Sequence, residues 1–230
     1  MGYKHLFFDL DHTLWDFEKN AHETMTELLA ELAEDGLYKI DVGEFFPRYQ
    51  VHNDEMWRRY RLGEIDKATL RTTRFQKALE EFGIKDRTVA KWMEFEYLDR
   101  SPYKKNLFPE AIETLEYLRD SYVLHIITNG FEEVQHIKLR ESTLGEHFDV
   151  IVTSEQAGVR KPHENIFRYA LSRTGAEKQE SLMIGDNLEA DILGAKKAGW
   201  DQVFFNPTGL MHSEQPTYEI KHLKELRSIL

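Results

Sequence analysis

Short apolar runs alternate with amphipathic segments along the second half of this 230-residue chain. The runs are rich in Val, Ile and Phe, which is typical of parallel strands that are buried on both faces. The segments between them, such as FEEVQHIKLRESTLG and NLEADILGAKKAG, have helical periodicity and end in Gly, as helices often do. This alternation predicts a doubly wound α/β fold with a parallel five-stranded sheet. The predicted strands cover residues 3–10, 123–129, 148–154, 181–186 and 201–206.

More than a hundred residues separate the first two predicted strands, and apolar residues recur there at spacings of three and four. The last helical segment of this region, FPEAIETLEYLRD, has Pro near its first turn, and we assign it to the domain that contains the sheet. We therefore predict a core domain of residues 1–15 and 101–230 and an inserted all-helical cap domain of residues 16–100. Residues 206–223 contain two prolines and little periodicity, so we expect a loop leading into a short terminal helix. The predicted helices lie near 17–34, 42–61, 67–82, 86–99 and 109–120.

The composition excludes several classes of function. A net charge of −11 argues against a protein that binds nucleic acid along its backbone. No run of about 18 apolar residues predicts a membrane span, and the N-terminal sequence lacks the pattern of a signal peptide. Without cysteine, the chain offers no disulfide, no thiolate zinc ligand and no cysteine nucleophile. We expect a cytoplasmic protein, monomeric or weakly dimeric, that acts on a small molecule.

The first predicted strand runs into the sequence HLFFDLDHTLWDF, which places two aspartates two positions apart. Asp9 and Asp11 lie on the same side of an extended segment, because side chains alternate along a strand. The ends of parallel strands meet at one edge of a sheet, so Asp186, after the fourth strand, is expected beside them. Three acids repel one another unless a cation joins them, and oxygen ligands without His or Cys favour Mg²⁺. The plainer alternatives are two solvated loop acids and a helix-capping Asp186.

Groups suited to bind an anion follow the second and third predicted strands. Thr128 offers a hydroxyl, while Asn129 and Gly130 offer backbone N–H groups where a helix is expected to begin. Lys161 supplies a positive charge that can hold a phosphate. Taken alone, Lys161 could equally be a surface lysine and Thr128 a buried hydroxyl that closes a strand. Together with a metal site, these groups predict phosphoryl transfer on a small phosphorylated metabolite.

Four ordered motifs resemble those of the haloacid dehalogenase superfamily. DLDHT resembles its nucleophile motif, ITN its hydroxyl motif, RKP its lysine motif and IGDNLEAD its metal-binding motif. The resemblance implies a Rossmann-like core with a helical cap inserted after the first motif. It further implies that Asp9 is the nucleophile and that Asp11 is the general acid and base. Thr128 and Lys161 would bind the phosphoryl oxygens, and Mg²⁺ would be held by Asp9, Asp186 and the Asp11 carbonyl. Thr13 and Asp191 would support these groups by orienting them.

The acid at position 11 distinguishes two chemistries within that superfamily. A halide leaves without a proton, whereas an alkoxide gains greatly from one, so Asp11 indicates a phosphatase. The segments ITNGFEEVQHIKLRESTLGEHFD and SEQAGVRKPHENIFRYAL are similar to the noncanonical pyrimidine nucleotidases, which implies a Mg²⁺-dependent nucleoside 5′-monophosphate phosphatase with an aspartyl-phosphate intermediate. The alternatives are a 2-haloacid dehalogenase and a phosphatase or phosphomutase that acts on a sugar phosphate. A phospho-accepting receiver module would be about half this length.

Trp15 lies close to the acidic pair in the sequence and has two possible roles. As a substrate-binding residue it would stack on a nucleobase. As a packing residue it would hold the cap against the core. Because aromatic side chains pack more often than they bind, the sequence favours the packing role.

Overall fold

The computed structural model describes residues 2–34, 36 and 38–230. The chain divides into two compact units. One consists of Met1–Phe17 with Lys105–Leu230 and is here called the sheet unit, and the other is Glu18–Lys104, here called the helical unit. The sequence placed the two junctions after residues 15 and 100, whereas in the structure they follow Phe17 and Lys104.

A parallel sheet forms the centre of the sheet unit. Among the described residues it has six strands in the order β3-β2-β1-β4-β5-β6, and every neighbouring pair is parallel. The predicted doubly wound fold is confirmed, with β1 and β4 adjacent in the middle of the sheet. The strands are β1 (His5–Phe8), β2 (Val123–Thr128), β3 (Val150–Thr153), β4 (Ser181–Gly185), β5 (Asp201–Phe205) and β6 (Tyr218–Ile220).

The sixth strand corrects the prediction of five. β6 lies inside the stretch 206–223 that was predicted to be a loop, and it pairs with β5 at the edge of the sheet. It has only three residues, Tyr218–Ile220, and follows Pro216 closely. A run this short cannot display an alternating pattern, and proline is tolerated beside an edge strand because an edge leaves one row of backbone groups unpaired.

Helices cover both faces of the sheet and bury its alternating side chains. Leu6 and Phe8 belong to one apolar cluster, whereas Phe7 belongs to the cluster on the other face. All three side chains are fully buried, as expected for a central strand with two covered faces. The helices of the sheet unit are α5 (Ala111–Arg119), α6 (Glu132–Glu141), α7 (Ser154–Ala157), α8 (Glu164–Thr174), α9 (Gly194–Ala198) and α10 (Leu226–Ile229), with a π-helical stretch at Leu188–Leu193 and 3₁₀ turns at Leu144–His147, Lys178–Glu180 and Leu223–Glu225.

The helical unit contains α1 (Phe17–Glu34, whose first residue belongs to the sheet unit), α2 (Val42–Arg61), α3 (Lys67–Glu80) and α4 (Arg87–Arg100). The last three helices begin after an aspartate whose side chain accepts a hydrogen bond from a first-turn backbone N–H. The predicted starts at 42, 67 and 86 lie within one residue of the starts of these helices. In the part of the chain that the structure describes, each helix is too short or too polar to cross a lipid bilayer.

Candidate active site

The central pairing of β1 with β4 brings two distant acidic segments together. Asp9 follows β1, and its backbone N–H donates to the carbonyl of Ile184 at 2.9 Å, which extends the pairing of the strands. Asp186 follows the end of β4, and Asp191 lies in the π-helical stretch that comes next. Ligand oxygens of Asp9, Asp186 and Asp191 all lie within 4.8 Å of one another. The structure thus gathers three carboxylates at the carboxyl edge of the sheet.

Lys161 lies among these carboxylates. Its Nζ is 2.9 Å from Asp9 Oδ1 and 2.6 Å from Asp191 Oδ1, and it donates to the Ile127 carbonyl at 2.7 Å. The side chain is only 1% exposed. Burial alone would lower the pKa of Lys161, but Asp191 and Asp9 raise it above its ordinary value. Lys161 is therefore a buried cation, in contrast to the surface lysine that the sequence alone allowed.

Asn129 connects the loop that carries Lys161 to the end of β2. Its Nδ2 donates to the Lys161 carbonyl at 2.9 Å, and its Oδ1 accepts from the Lys161 backbone N–H at 2.8 Å. Two hydrogen bonds in opposite directions fix the lysine backbone relative to the strand end. Asn129 was predicted to bind substrate through its backbone, and its side chain here supports Lys161.

The carboxylates outnumber the positive charges close to them. Burial raises the pKa of Asp9 to about 7, although Lys161 opposes the shift. Burial raises the pKa of Asp186 to about 6, and it also raises the pKa of Asp191 above its ordinary value. The ionised forms of these acids are destabilised first by burial and then by repulsion from the neighbouring carboxylates, which Lys161 only partly offsets. An all-oxygen donor set with excess negative charge fits a hard divalent cation such as Mg²⁺.

Thr13 and Gly185 each help to place one acid of the cluster. Thr13 is fully buried and donates its hydroxyl to Asp186 Oδ1 at 2.9 Å, which orients that carboxylate. A Cβ at Gly185 would lie 2.3 Å from Asp191 Oδ2, so only glycine leaves room for Asp191 there. Asp191 Oδ2 in turn accepts from the backbone N–H of Asn187 at 3.0 Å. Asp191 is thereby fixed between this backbone N–H and Lys161.

The predicted anion-binding groups meet at the end of β2. Thr128 Oγ1 accepts from the backbone N–H of Gly130 at 3.0 Å and from Gln135 Nε2 at 3.2 Å. The Gly130 N–H therefore has a partner within the protein, and a phosphate would have to replace Thr128 to bind it. The helix starts later than expected, since its first residue is Glu132. The backbone N–H of Glu132 donates to Glu155 Oε2 at 2.7 Å.

Asp11 projects toward two side chains that lie outside the four sequence motifs. Gln135 Nε2 donates to Asp11 Oδ2 at 2.7 Å, and Lys138 Nζ forms an ion pair with Asp11 Oδ1. Burial alone would raise the pKa of Asp11, but Lys138 and Gln135 hold it below its ordinary value. The available signal was their spacing, since two residues three apart on the first helix after the hydroxyl motif share one face.

Trp15 lies beneath Lys138 and is fully buried. The Lys138 ammonium is 3.9 Å from the centre of its ring, within the range of a cation–π interaction. A ring without exposed surface has no free face for a nucleobase. Its burial in the core of the sheet unit favours the packing role over the base-stacking role.

Comparison with known proteins gives consistent similarities. A sequence profile of the haloacid dehalogenase-like hydrolases matches residues 3–199. The chain is 34% identical to the pyrimidine 5′-nucleotidase PynA of Streptococcus pneumoniae, with 100% of this chain and 96% of that protein covered. It is 31% identical to the pyrimidine 5′-nucleotidase YjjG of Escherichia coli, with 100% and 99% covered. The crystal structure of the HAD-hydrolase YfnB from Bacillus subtilis, bound to magnesium, matches with a TM-score of 0.88 at 30% identity, covering 100% of this chain and 99% of that one.

Proposed function

The chain belongs to the haloacid dehalogenase-like hydrolases, and from this premise we propose that it is a Mg²⁺-dependent phosphomonoesterase that hydrolyses nucleoside 5′-monophosphates. The observation that carries the proposal is the pair of acids at the end of β1. Asp9 lies with Lys161 in the carboxylate cluster, while Asp11 is held separately by Lys138 and Gln135. Two acids in different surroundings suit two different roles.

The first step of the proposed reaction uses both acids. An oxygen of the Asp9 carboxylate attacks phosphorus, so that an O–P bond forms and the bond from phosphorus to the leaving oxygen breaks. The ion pair with Lys138 keeps Asp11 ionised in the free protein, so Asp11 takes up a proton when the anionic substrate binds beside it. It then gives this proton to the leaving oxygen, and the alcohol departs. The products of this step are the free alcohol, an aspartyl-phosphate at Asp9 and the Asp11 carboxylate.

The second step restores the enzyme. The Asp11 carboxylate takes a proton from water as the water oxygen attacks the phosphorus of the aspartyl-phosphate. Inorganic phosphate leaves and Asp9 returns as a carboxylate. Asp11 releases this proton when the site empties and takes one up again with the next substrate, so the protons balance over the cycle.

The remaining groups of the site bind and orient. Lys161 contacts Asp9 and can neutralise negative charge on the phosphoryl oxygens next to that carboxylate. Thr128 can donate its hydroxyl hydrogen to the same group while its oxygen still accepts from the Gly130 N–H. Mg²⁺ would be held by the carboxylates of Asp9 and Asp186 and the Asp11 carbonyl, with Thr13 and Asp191 orienting their neighbours. When bound, Mg²⁺ supplies positive charge that offsets the charge of the phosphoryl group.

The substrate class is proposed from the full-length similarity to two pyrimidine 5′-nucleotidases. The interpretation of the helical unit as a cap domain that selects the leaving alcohol is part of the same proposal, supported by the resemblance to capped members of the superfamily. A cytoplasmic location and a monomeric or weakly dimeric state remain predictions from the sequence.

A phosphate-release screen tests the proposal. Purified protein with MgCl₂ is assayed against pyrimidine and purine nucleoside 5′-monophosphates, sugar phosphates and 2-chloropropionate, with phosphate or chloride as the product measured. We expect phosphate release that is fastest from pyrimidine nucleotides, and its loss in Asp9→Asn but not in the matched surface variant Asp120→Asn. Chloride release without MgCl₂, or full activity of Asp9→Asn, would contradict the proposal.

A further inference from the structure

Helix α6 presents two donors to the two oxygens of the Asp11 carboxylate. Gln135 Nε2 is 2.7 Å from Oδ2, and Lys138 Nζ is paired with Oδ1. Residues three apart on a helix lie on one face, so both side chains reach Asp11 from the same direction. Contacts at both oxygens fix the rotation of the carboxylate, which a single ion pair would leave free.

Lys138 is itself fixed by its surroundings. It is 4% exposed, and its ammonium lies 3.9 Å from the ring centre of Trp15 and 5.5 Å from that of Phe17. A buried ammonium is costly unless it is paired, and aromatic faces stabilise it further. The ring of Trp15 therefore fixes the position of the Lys138 ammonium beside Asp11.

Gln135 is also held in place by its surroundings. Its side chain is 1% exposed, and the same Nε2 that donates to Asp11 lies 3.2 Å from Thr128 Oγ1. A Cβ on Gly130 would lie 1.4 Å from this nitrogen, so the glycine directly after the hydroxyl motif provides the space that the amide occupies. The contact with Asp11 thus depends on the backbone of the phosphate-binding segment.

We propose that Lys138 and Gln135 are positioning residues that hold the Asp11 carboxyl group in the one orientation from which it exchanges protons with the leaving oxygen and with water. This inference rests on the proposed phosphatase function and deepens it. Lys138 acts through Asp11 and not by binding the phosphoryl group, which Lys161 and Thr128 serve. The two lysines of the sheet edge therefore have separate tasks.

The leaving group provides a readout that a merely structural role would not move. Nitrophenolate departs as a stable anion, whereas an alkoxide requires a proton in the transition state. The value of kcat/KM reports on steps up to the first irreversible one, here the transfer of the phosphoryl group to Asp9. A misplaced Asp11 should lower kcat/KM for an alkyl phosphate while leaving that of an aryl phosphate nearly intact.

The experiment compares Lys138→Met with wild type on 4-nitrophenyl phosphate and on a pyrimidine nucleoside 5′-monophosphate, or the best alkyl phosphate of the screen. We expect kcat/KM for the alkyl ester to fall at least about tenfold more than for the aryl ester, since a positioned acid contributes on the order of a hundredfold or more. Lys138→Arg should recover part of the loss, and Lys197→Met, at an exposed site, should match wild type.

Gln135→Leu is the second variant in case Lys138→Met does not fold, and circular dichroism reports the fold of both. Equal losses on the two esters would overturn the inference in favour of phosphate binding or packing, and unchanged kinetics on both would overturn it outright. If wild type cleaves no phosphate ester at all, the proposed function has failed and the inference falls with it. That case is recognised before any variant is compared.

Discussion

Replacing Asp186 by Asn should stabilise the metal-free protein even though it removes a proposed metal ligand. Asp186 lies in a cluster where three carboxylates share one lysine, and burial raises its pKa to about 6. Asn carries no charge and keeps an oxygen that can accept from the Thr13 hydroxyl. The substitution therefore removes a partly buried charge without removing its hydrogen bond.

The expected magnitude follows from the pKa shift. A carboxyl group whose folded-state pKa lies above its ordinary value of 3.8 destabilises the folded state once it ionises. This cost is absent below about pH 4, grows as pH rises toward 6 and is fully present above that. A rise of the Asp186 pKa from 3.8 to about 6 corresponds to about 3 kcal/mol, so Asp186→Asn should raise the free energy of unfolding by about 2 to 3 kcal/mol at about pH 8.

Urea unfolding with a chelator present measures this difference at about pH 8 and about pH 4, where the gain should vanish. A second series adds excess MgCl₂, which should stabilise wild type by binding the folded state and should stabilise Asp186→Asn much less. Asp120→Asn, at an exposed position, controls for loss of a carboxylate elsewhere.

Two outcomes would refute the reasoning. If Asp186→Asn is no more stable than wild type at high pH without metal, the carboxylates do not repel one another as the geometry indicates. If MgCl₂ shifts the unfolding midpoint of the variant as much as that of wild type, Asp186 is not part of the cation site.

Three further predictions concern other parts of the chain. Gly185→Ala should destabilise the fold by about 1 to 3 kcal/mol, because its Cβ would meet Asp191 at 2.3 Å, whereas Gly145→Ala makes ordinary contacts; urea unfolding compares them. His125 is 1% exposed and burial lowers its pKa to about 4, so unfolding free energy should fall by up to about 3 kcal/mol as pH drops from 6.5 toward 4, and much less in His125→Phe. A chelator should abolish phosphate release and added Mg²⁺ should restore it, as a continuous phosphate assay will record.

The sequence predicts the features that depend on hydrophobic periodicity and on where parallel strands end. Buried strands and amphipathic helices have distinct repeats, and parallel strands bring their carboxyl ends to one edge, so Asp9, Thr128, Lys161 and Asp186 were expected at one place. The pattern does not contain strand order. Only the structure shows that β1 and β4 are neighbours, which is why two acids 177 positions apart share one site.

The unpredicted part consists of contacts made by residues outside the motifs. Lys138 looks like a solvent-facing residue of an amphipathic helix, and its spacing from Gln135 does not by itself indicate that Trp15 and Asp11 cover it. Its role depends on a tertiary contact between segments more than a hundred residues apart. The short edge strand β6 was missed for a related reason, since its pairing with β5 is its main support.

The central place of β1 also has a consequence for the way the protein is made. Its residue His5 pairs with Val123 on one side and with Ser181 on the other, so its partners lie 118 and 176 positions downstream. A ribosome completes the whole helical unit before the first partner is synthesised, and most of the remaining chain before the second. Slow, distant pairing of this kind leaves an apolar segment exposed during translation. The N-terminal strand therefore stays unpaired during most of translation, and the carboxylate site can form only near the end of translation.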